Sequence, residues 1–209
     1  MRLVDCASTP PFSSEHGWKS PDGWPTSFIE GSALVCGSAQ VYDSARVCGS
    51  AQVYGSALVC GSAQVYGSAL VCGSARVYDS ARVCDSARVY DSAQVYGSAL
   101  VCGSARVYDS ARVCGSALVC DSARVCGYGD IQKTTDYICV GPIGSRNDFI
   151  TLHKDRKIGL RINTGCFSGS VSEFMARLTD APEHDDYKAI VPALLAVMKR
   201  RGIESKEPQ

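Results

Sequence analysis

"SAQVYGSALVCGSARVYDSARVC", residues 92–114, says one six-residue phrase again and again with three variable letters. Extended both ways, the frame runs from Gly31 to Cys126 as sixteen consecutive hexapeptides, [Gly/Asp]-Ser-Ala-[Leu/Gln/Arg]-Val-[Cys/Tyr], without insertion or exception. A fixed short period outranks local propensity, because it sets the architecture. Helices and coiled coils need periods near 3.6 or 3.5, whereas six is a multiple of two. Ala and Val, two apart, therefore share one side of an extended strand. Each strand is about four residues long and is followed by a Gly/Asp-Ser turn.

So short a strand buries nothing alone. Stacked on its copies, it places Ala on Ala and Val on Val, and the core becomes a column. Two turn residues cannot supply a helical crossover, so the chain must wind as a solenoid in which each strand pairs in parallel with the one a full coil away.

The stretch "VYDSARV" resembles the hexapeptide repeat of left-handed parallel β-helices, with an aliphatic residue opening each six and a small residue four later. The resemblance implies three hexapeptides per coil and a triangular prism with Val inward on each side. Its left hand would be an exception to the usual right-handed crossover. The fold class expected is thus mainly β: a single-stranded left-handed parallel β-helix with a small α/β C-terminal cap. Sixteen hexapeptides make about five coils, roughly 25 Å long at ~4.8 Å per coil. Residues eighteen apart become stacked neighbours. The degenerate units Pro25–Glu30 and Gly127–Gln132 keep the inward slots (Ser27 and Ile29; Gly129 and Ile131), which extends the prism one side each way.

With Ala and Val inward, the Cys/Tyr and Leu/Gln/Arg slots point outward, and nine of the twelve cysteines are expected at the surface. Their spacing follows the repeat and not a bridging plan, so they do not read as a disulfide framework. Cys84, Cys102 and Cys120 form one column, close enough for oxidation of a pair. A straight row lacks the tetrahedral fourth ligand of a zinc site, and neither metal nor cofactor is expected. Reduced thiols, no apolar core in Met1–Pro11 and no membrane-length apolar run lead to an expectation of a cytoplasmic protein without membrane contact.

Arg88, Arg106 and Arg124 also stack, and a guanidinium row attracts phosphate. The regular repeats nevertheless hold seven Arg against six Asp, and the whole chain has net charge +0. Without a basic excess, nucleic acid is disfavoured as a partner, and the charges read as solubilising a regular β surface. Ice-binding β-helices resemble this architecture but present Thr arrays, and no Thr occurs between Gly31 and Cys126. Hexapeptide acyltransferases resemble it too, and that resemblance implies a His near a subunit interface. The histidines here, His16, His153 and His184, all lie outside the regular repeats. Cys166 with His153 or His184 is the one thiol–imidazole pairing to weigh, in "GCFSGS", which has no local nucleophile signature. "GPIGS" at 141–145 lacks the Lys of a phosphate loop and marks the exit from the solenoid.

Beyond the exit, two strands are expected, Phe149–His153 and Ile158–Asn163, joined by a charged turn at Lys154–Lys157. Ser170 and Glu173 form a capping box opening a helix with Val171, Phe174, Met175 and Leu178 in one stripe. A second helix, Asp185–Arg201, carries Tyr187, Ile190, Val191, Leu194 and Met198, with Pro192 obscuring its start. An open coil is an unpaired apolar edge, so this segment is expected to cap one end and residues 1–24, with Trp18 and Trp24, the other. The division expected is 1–24, 25–138, 139–203 and a tail at 204–209.

The run "VGPIGSRNDFITLHKDRKIGLRINTGCFSGSVSEF" after such repeats is similar to phage- and prophage-encoded hexapeptide-repeat proteins. Gly141 to Asp148, Gly165, Cys166, Phe167, Glu173 and Phe174 carry the likeness, which implies an architecture and a genetic setting but no reaction. The expectation is a non-enzymatic scaffold, monomeric or a small homo-oligomer, that binds a macromolecular partner, a protein, at Arg146, Asn147 and Asp148; a hydrogen-bonded turn is the plainer use of those three. The alternatives are self-polymerisation resembling bactofilins and an acyltransferase-like enzyme.

Overall fold

In the computed structural model, which describes residues 28–29, 31–144 and 146–206, the repeat winds as expected. Eighteen two-residue strands, β1 (Phe28–Ile29) to β18 (Asp130–Ile131), recur every six residues and sort into three six-stranded parallel sheets. Partners are eighteen residues apart, for example Arg88 with Arg106 and Val89 with Val107, so three hexapeptides complete a coil. The expected cap at 1–24, His16 and the inward slot Ser27 lie outside the described residues.

From Ala45 to Val125 every Ala and Val of the repeat is at most 1% exposed, and these side chains with Ile131 and Tyr137 form one continuous column. Each buried Val is worth roughly 1.5–3 kcal/mol in area removed from water. Ala beside Val suits the narrow interior, since a larger residue at every slot would overfill it. The first coil differs: Ala33, Val35, Ala39 and Val41 are only half-buried, and Leu34 is 46% exposed.

The turn explains the choice between Gly and Asp. The first residue of each hexapeptide has positive φ, 62–73° for the glycines and 58–60° for the aspartates. Gly adopts this region freely, and Asp does so better than most residues. Asp adds a bond: Asp43 Oδ2 accepts the N–H of Gly61, and Asp79 Oδ2 that of Gly97, each at 3.1 Å. At Asp43, Asp79, Asp85, Asp91 and Asp109 the carboxylate thereby ties its turn to the one a coil later.

Backbone bonds give the solenoid a direction. Leu100 N–H donates to Ala117 O (2.9 Å) and Cys102 N–H to Val119 O (3.0 Å), always toward the next coil. The last coil is left with unpaired donors, and the tail supplies side-chain acceptors for them. Leu118 N–H donates to Thr134 Oγ1 (3.1 Å) and Cys120 N–H to the Tyr137 hydroxyl (3.3 Å). In β17 (Arg124–Val125) and just after it, Arg124 N–H reaches Thr151 Oγ1 (3.0 Å) and Cys126 N–H reaches His153 Nε2 (3.4 Å). Asn163 Nδ2 donates to the Arg124 carbonyl at 2.8 Å. The C-terminal end of the prism is therefore closed by polar side chains that stand in for a further coil.

Thr134 stands in a 3-10 turn (Thr134–Asp136); the other side chains come from an antiparallel sheet, β19 (Tyr137–Ile143), β20 (Asp148–Asp155), β21 (Gly159–Thr164) and β22 (Phe167–Ser170), in that order. Two of these strands were expected from alternation. β19 is interrupted by Gly141 and Pro142, and β22 is Phe167 followed by three small or polar residues, so neither carries a strand pattern of its own. One sheet face puts Thr151, His153 and Asn163 on the solenoid; the other packs Ile150, Leu152 and Ile162 with the two helices.

α1 (Val171–Arg177) opens with the expected capping box, Glu173 N–H to Ser170 Oγ at 3.2 Å and Ser170 N–H to Glu173 Oε2 at 2.7 Å. Val171 and Phe174 are buried, but Met175 is 37% exposed, because this seven-residue helix lies against β21 and β22 with only part of its stripe. α2 (Asp185–Arg200) buries Val191, Leu194 and Met198. Pro192 is inside it; the proline at the entry is Pro182, opening a 3-10 turn before α2.

Candidate functional site

The cysteine slot departs from expectation. None of the nine repeat cysteines is fully exposed: Cys84, Cys114 and Cys126 are buried and the other six are half-buried. The slot points outward, but residues eighteen before and after shield it, and the tail covers Cys126. The Cys126 thiol donates to Asn163 Oδ1 at 3.0 Å and lies 3.1 Å from Ser168 Oγ.

Cys84, Cys102 and Cys120 do stack, between Tyr66 and Tyr137. The Tyr66 hydroxyl bonds Cys84, which pushes the Tyr66 phenol up to about 12, and the Tyr137 hydroxyl lies 3.7 Å from Cys120 Sγ. Burial raises all three thiols, and the flanking Cys84 and Cys120 help push Cys102 up to about 11. Such thiols hold little nucleophilic thiolate near neutral pH. The Sγ atoms of Cys84 and Cys102 and a carboxylate oxygen of Asp85 fall within 4.8 Å of one another. Three donors in a row leave the fourth corner of a tetrahedron unfilled. Asp85 Oδ2 is moreover engaged, by Gly103 N–H at 3.1 Å and by the Cys84 thiol at 3.7 Å.

The arginine column is also divided. Arg124 leaves it for the tail: Nη1 donates to Gly165 O (2.8 Å), and Nη2 pairs with Asp148 Oδ1 (3.3 Å). Of the expected partner-binding residues, Asp148 is thus half-buried in a structural ion pair and also accepts Phe149 N–H at 2.8 Å. Asn147, at φ 49°, donates its N–H to Gly144 O at 3.1 Å, closing a turn. Arg146 and Asn147 are exposed on that turn.

The two described histidines have separate surroundings. His153 is fully buried; burial lowers it to about 4, so the ring is neutral, and its Nε2 lone pair serves Cys126 N–H while Nδ1 faces Lys154 O at 3.0 Å. It is a backbone surrogate. His184 instead lines a half-open cleft of about 350 Å³ with Arg146, Asp148, Thr164, Cys166, Phe167, Phe174, Arg177 and Tyr187. The cleft brings Cys166 into one lining with His184, the second of the two imidazoles weighed for it, and adds the Arg146 turn, which the sequence did not join to them. Its floor is aromatic, with Phe167 and Phe174 at 5.1 Å and Phe174 and Tyr187 edge-on at 5.6 Å. The Arg177 guanidinium lies over the Phe167 ring at 4.8 Å. A second, shallower groove on the solenoid runs along Ser38, Gln40, Ser56, Leu58, Ser74 and Arg76 and gathers no titratable pair. Among the described residues, no helix is long and apolar enough to cross a membrane.

No curated protein and no solved structure matches the chain. Residues 39–55, 51–67 and 81–97 match the family described as the YdcK beta solenoid repeat, all within the stacked coils, and with the three parallel sheets this makes the chain a repeat β-helix protein.

Proposed function

We propose that the protein is a non-enzymatic scaffold of the phage or prophage type, a rigid prism of set length whose C-terminal domain binds a protein partner beside Arg146, Asn147 and Asp148. The observation that carries this reading is the closed end. Thr134, Tyr137, Thr151 and His153 take up the N–H groups on which another coil would have to build. Stacking through that end would require breaking these bonds, which disfavours filaments. An acyltransferase reading would need an imidazole free to act as a base; His153 Nε2 is committed to the Cys126 N–H and His184 Nδ1 to the Thr179 N–H.

End-to-end pairing through the first coil is the second reading, favoured by the exposure of Ile29 and Leu34, 41% and 46%. With one end closed, such pairing stops at two chains. Light scattering coupled to size exclusion, run from micromolar to high concentration under reducing conditions, tests both. One or two chains at all concentrations fits the scaffold, and mass that climbs without limit overturns it. Capture from a bacterial lysate, compared between the wild type and Arg146→Ala, then tests the partner surface: equal capture removes that turn from the reading.

A further inference from the structure

The cleft between β22, α1 and the start of α2 holds two arginines that, among the described residues, make no direct ion pair. Among the described residues, neither Arg146 nor Arg177 has a carboxylate within ion-pair distance. Among the described residues the one acid in the lining, Asp148, is already held by Arg124. Glu173, one turn before Arg177, has its Oε2 occupied by the Ser170 N–H and hydroxyl at 2.7 and 2.9 Å. His184 adds a ring N–H donor. Its Nδ1 accepts the N–H of Thr179 at 3.0 Å, which assigns the ring proton to Nε2. The Tyr187 hydroxyl, 3.3 Å from Thr164 Oγ1, supplies a further polar group. Beside these donors lie Phe167, whose ring also carries the Arg177 guanidinium, and the largely buried Phe174.

We infer that this cleft binds a carboxylate carried on an apolar, residue-sized body: the C-terminal residue of a polypeptide partner. The inference rests on the interaction role proposed above and names the chemistry that the partner offers. Two planar guanidinium forks suit the flat, two-oxygen carboxylate. The aromatic floor suits an apolar side chain, which a bare inorganic anion lacks. A volume of about 350 Å³ lies at the low end of small-ligand sites and is enough for one side chain with its carboxylate.

The test is a titration of the ¹⁵N-labelled full chain with three probes: N-acetyl-phenylalanine, its C-terminal amide and phenyl phosphate. The expected result is saturable shifts confined to Thr164–Phe167, Phe174–Leu178 and His184–Tyr187 with the carboxylate, weaker binding of phenyl phosphate and none of the amide. Arg146→Gln and Arg177→Gln, both on exposed positions and checked for unchanged spectra elsewhere, should each weaken the carboxylate about ten-fold, the scale of one charge-assisted hydrogen bond. Equal binding of acid and amide, no effect of either substitution, or tighter binding of phenyl phosphate overturns the inference. Captured partner that free N-acetyl-phenylalanine fails to displace overturns the site and leaves the scaffold role standing. Carboxylate binding without any captured partner supports the site and removes the role.

Discussion

His153 Nε2 accepts the backbone N–H of Cys126 at 3.4 Å, at the point where a further coil would have presented a carbonyl. One imidazole therefore belongs to the ladder of the solenoid as much as to the tail that carries it. Replacing His153 with Ala leaves a buried donor unpaired and a cavity beside it. The expected loss is about 2–4 kcal/mol in urea unfolding. His153→Gln, which keeps an acceptor, should lose less.

The same contact makes stability depend on pH. Burial lowers His153 to about 4 from an ordinary 6.5, so between these values the unfolded chain binds a proton that the folded chain refuses. Its contribution is complete above pH 6.5 and falls as pH drops to 4, by about 1.4 kcal/mol per pH unit at most. Asp155 acts in a lower window. Burial alone would raise it, but the Arg161 guanidinium at 2.8 Å and the N–H groups of Lys157 and Ile158 outweigh burial and lower it. Its contribution is lost only below its ordinary 3.8. Urea midpoints from pH 7 to 4 should fall for the wild type and stay nearly level for His153→Gln; parallel curves would refute the assignment.

Thiol reactivity should sort by position. At pH 8 Cys102, pushed up to about 11, holds about a hundredth of the thiolate of a thiol at 9. Timed alkylation with peptide mapping should modify exposed Cys166 first and Cys102 far later. Early modification of Cys102, or a Cys84–Cys102 disulfide forming readily in air, would show the column to be redox-active.

The turns predict an order of substitution effects. Asp79→Asn keeps an acceptor for Gly97 N–H and tolerates φ 60°, so it should be near neutral. Asp79→Gly loses the bond, about 1 kcal/mol, and Asp79→Ala loses the bond and adds about 1–2 kcal/mol of left-handed strain. Gly61→Ala should be worse, since its Cβ would meet the Asp79 backbone nitrogen at 2.9 Å as well as a φ of +69°. Thermal midpoints of the four variants check the ranking.

Register predicts what the chain can lose. Removing residues 73–90, one full coil, keeps every column in step and should give a folded protein shorter by about 4.8 Å in solution scattering. Removing residues 73–75 exchanges inward and outward slots for everything that follows, and should abolish cooperative unfolding.

The solenoid was legible because its information is local and repeated. Period six forces alternation, alternation puts Ala and Val inside, and a two-residue turn permits only a partner one coil away. The capping box at Ser170 and the buried stripe of α2 were readable for the same reason, since each lies within one or two helical turns. What tertiary structure decided is what depends on distant groups meeting. Nothing near Thr151, His153 or Asn163 shows that they complete the backbone bonds of Arg124 and Cys126, some 27 to 39 residues earlier. The burial of Cys84 comes from its stacked neighbours, and that of Cys126 from Asn163 and Ser168 of the tail. The gathering of Arg146, Arg177 and His184 around one cleft follows from how the sheet and two helices close, a long-range geometry that no spacing along the chain encodes.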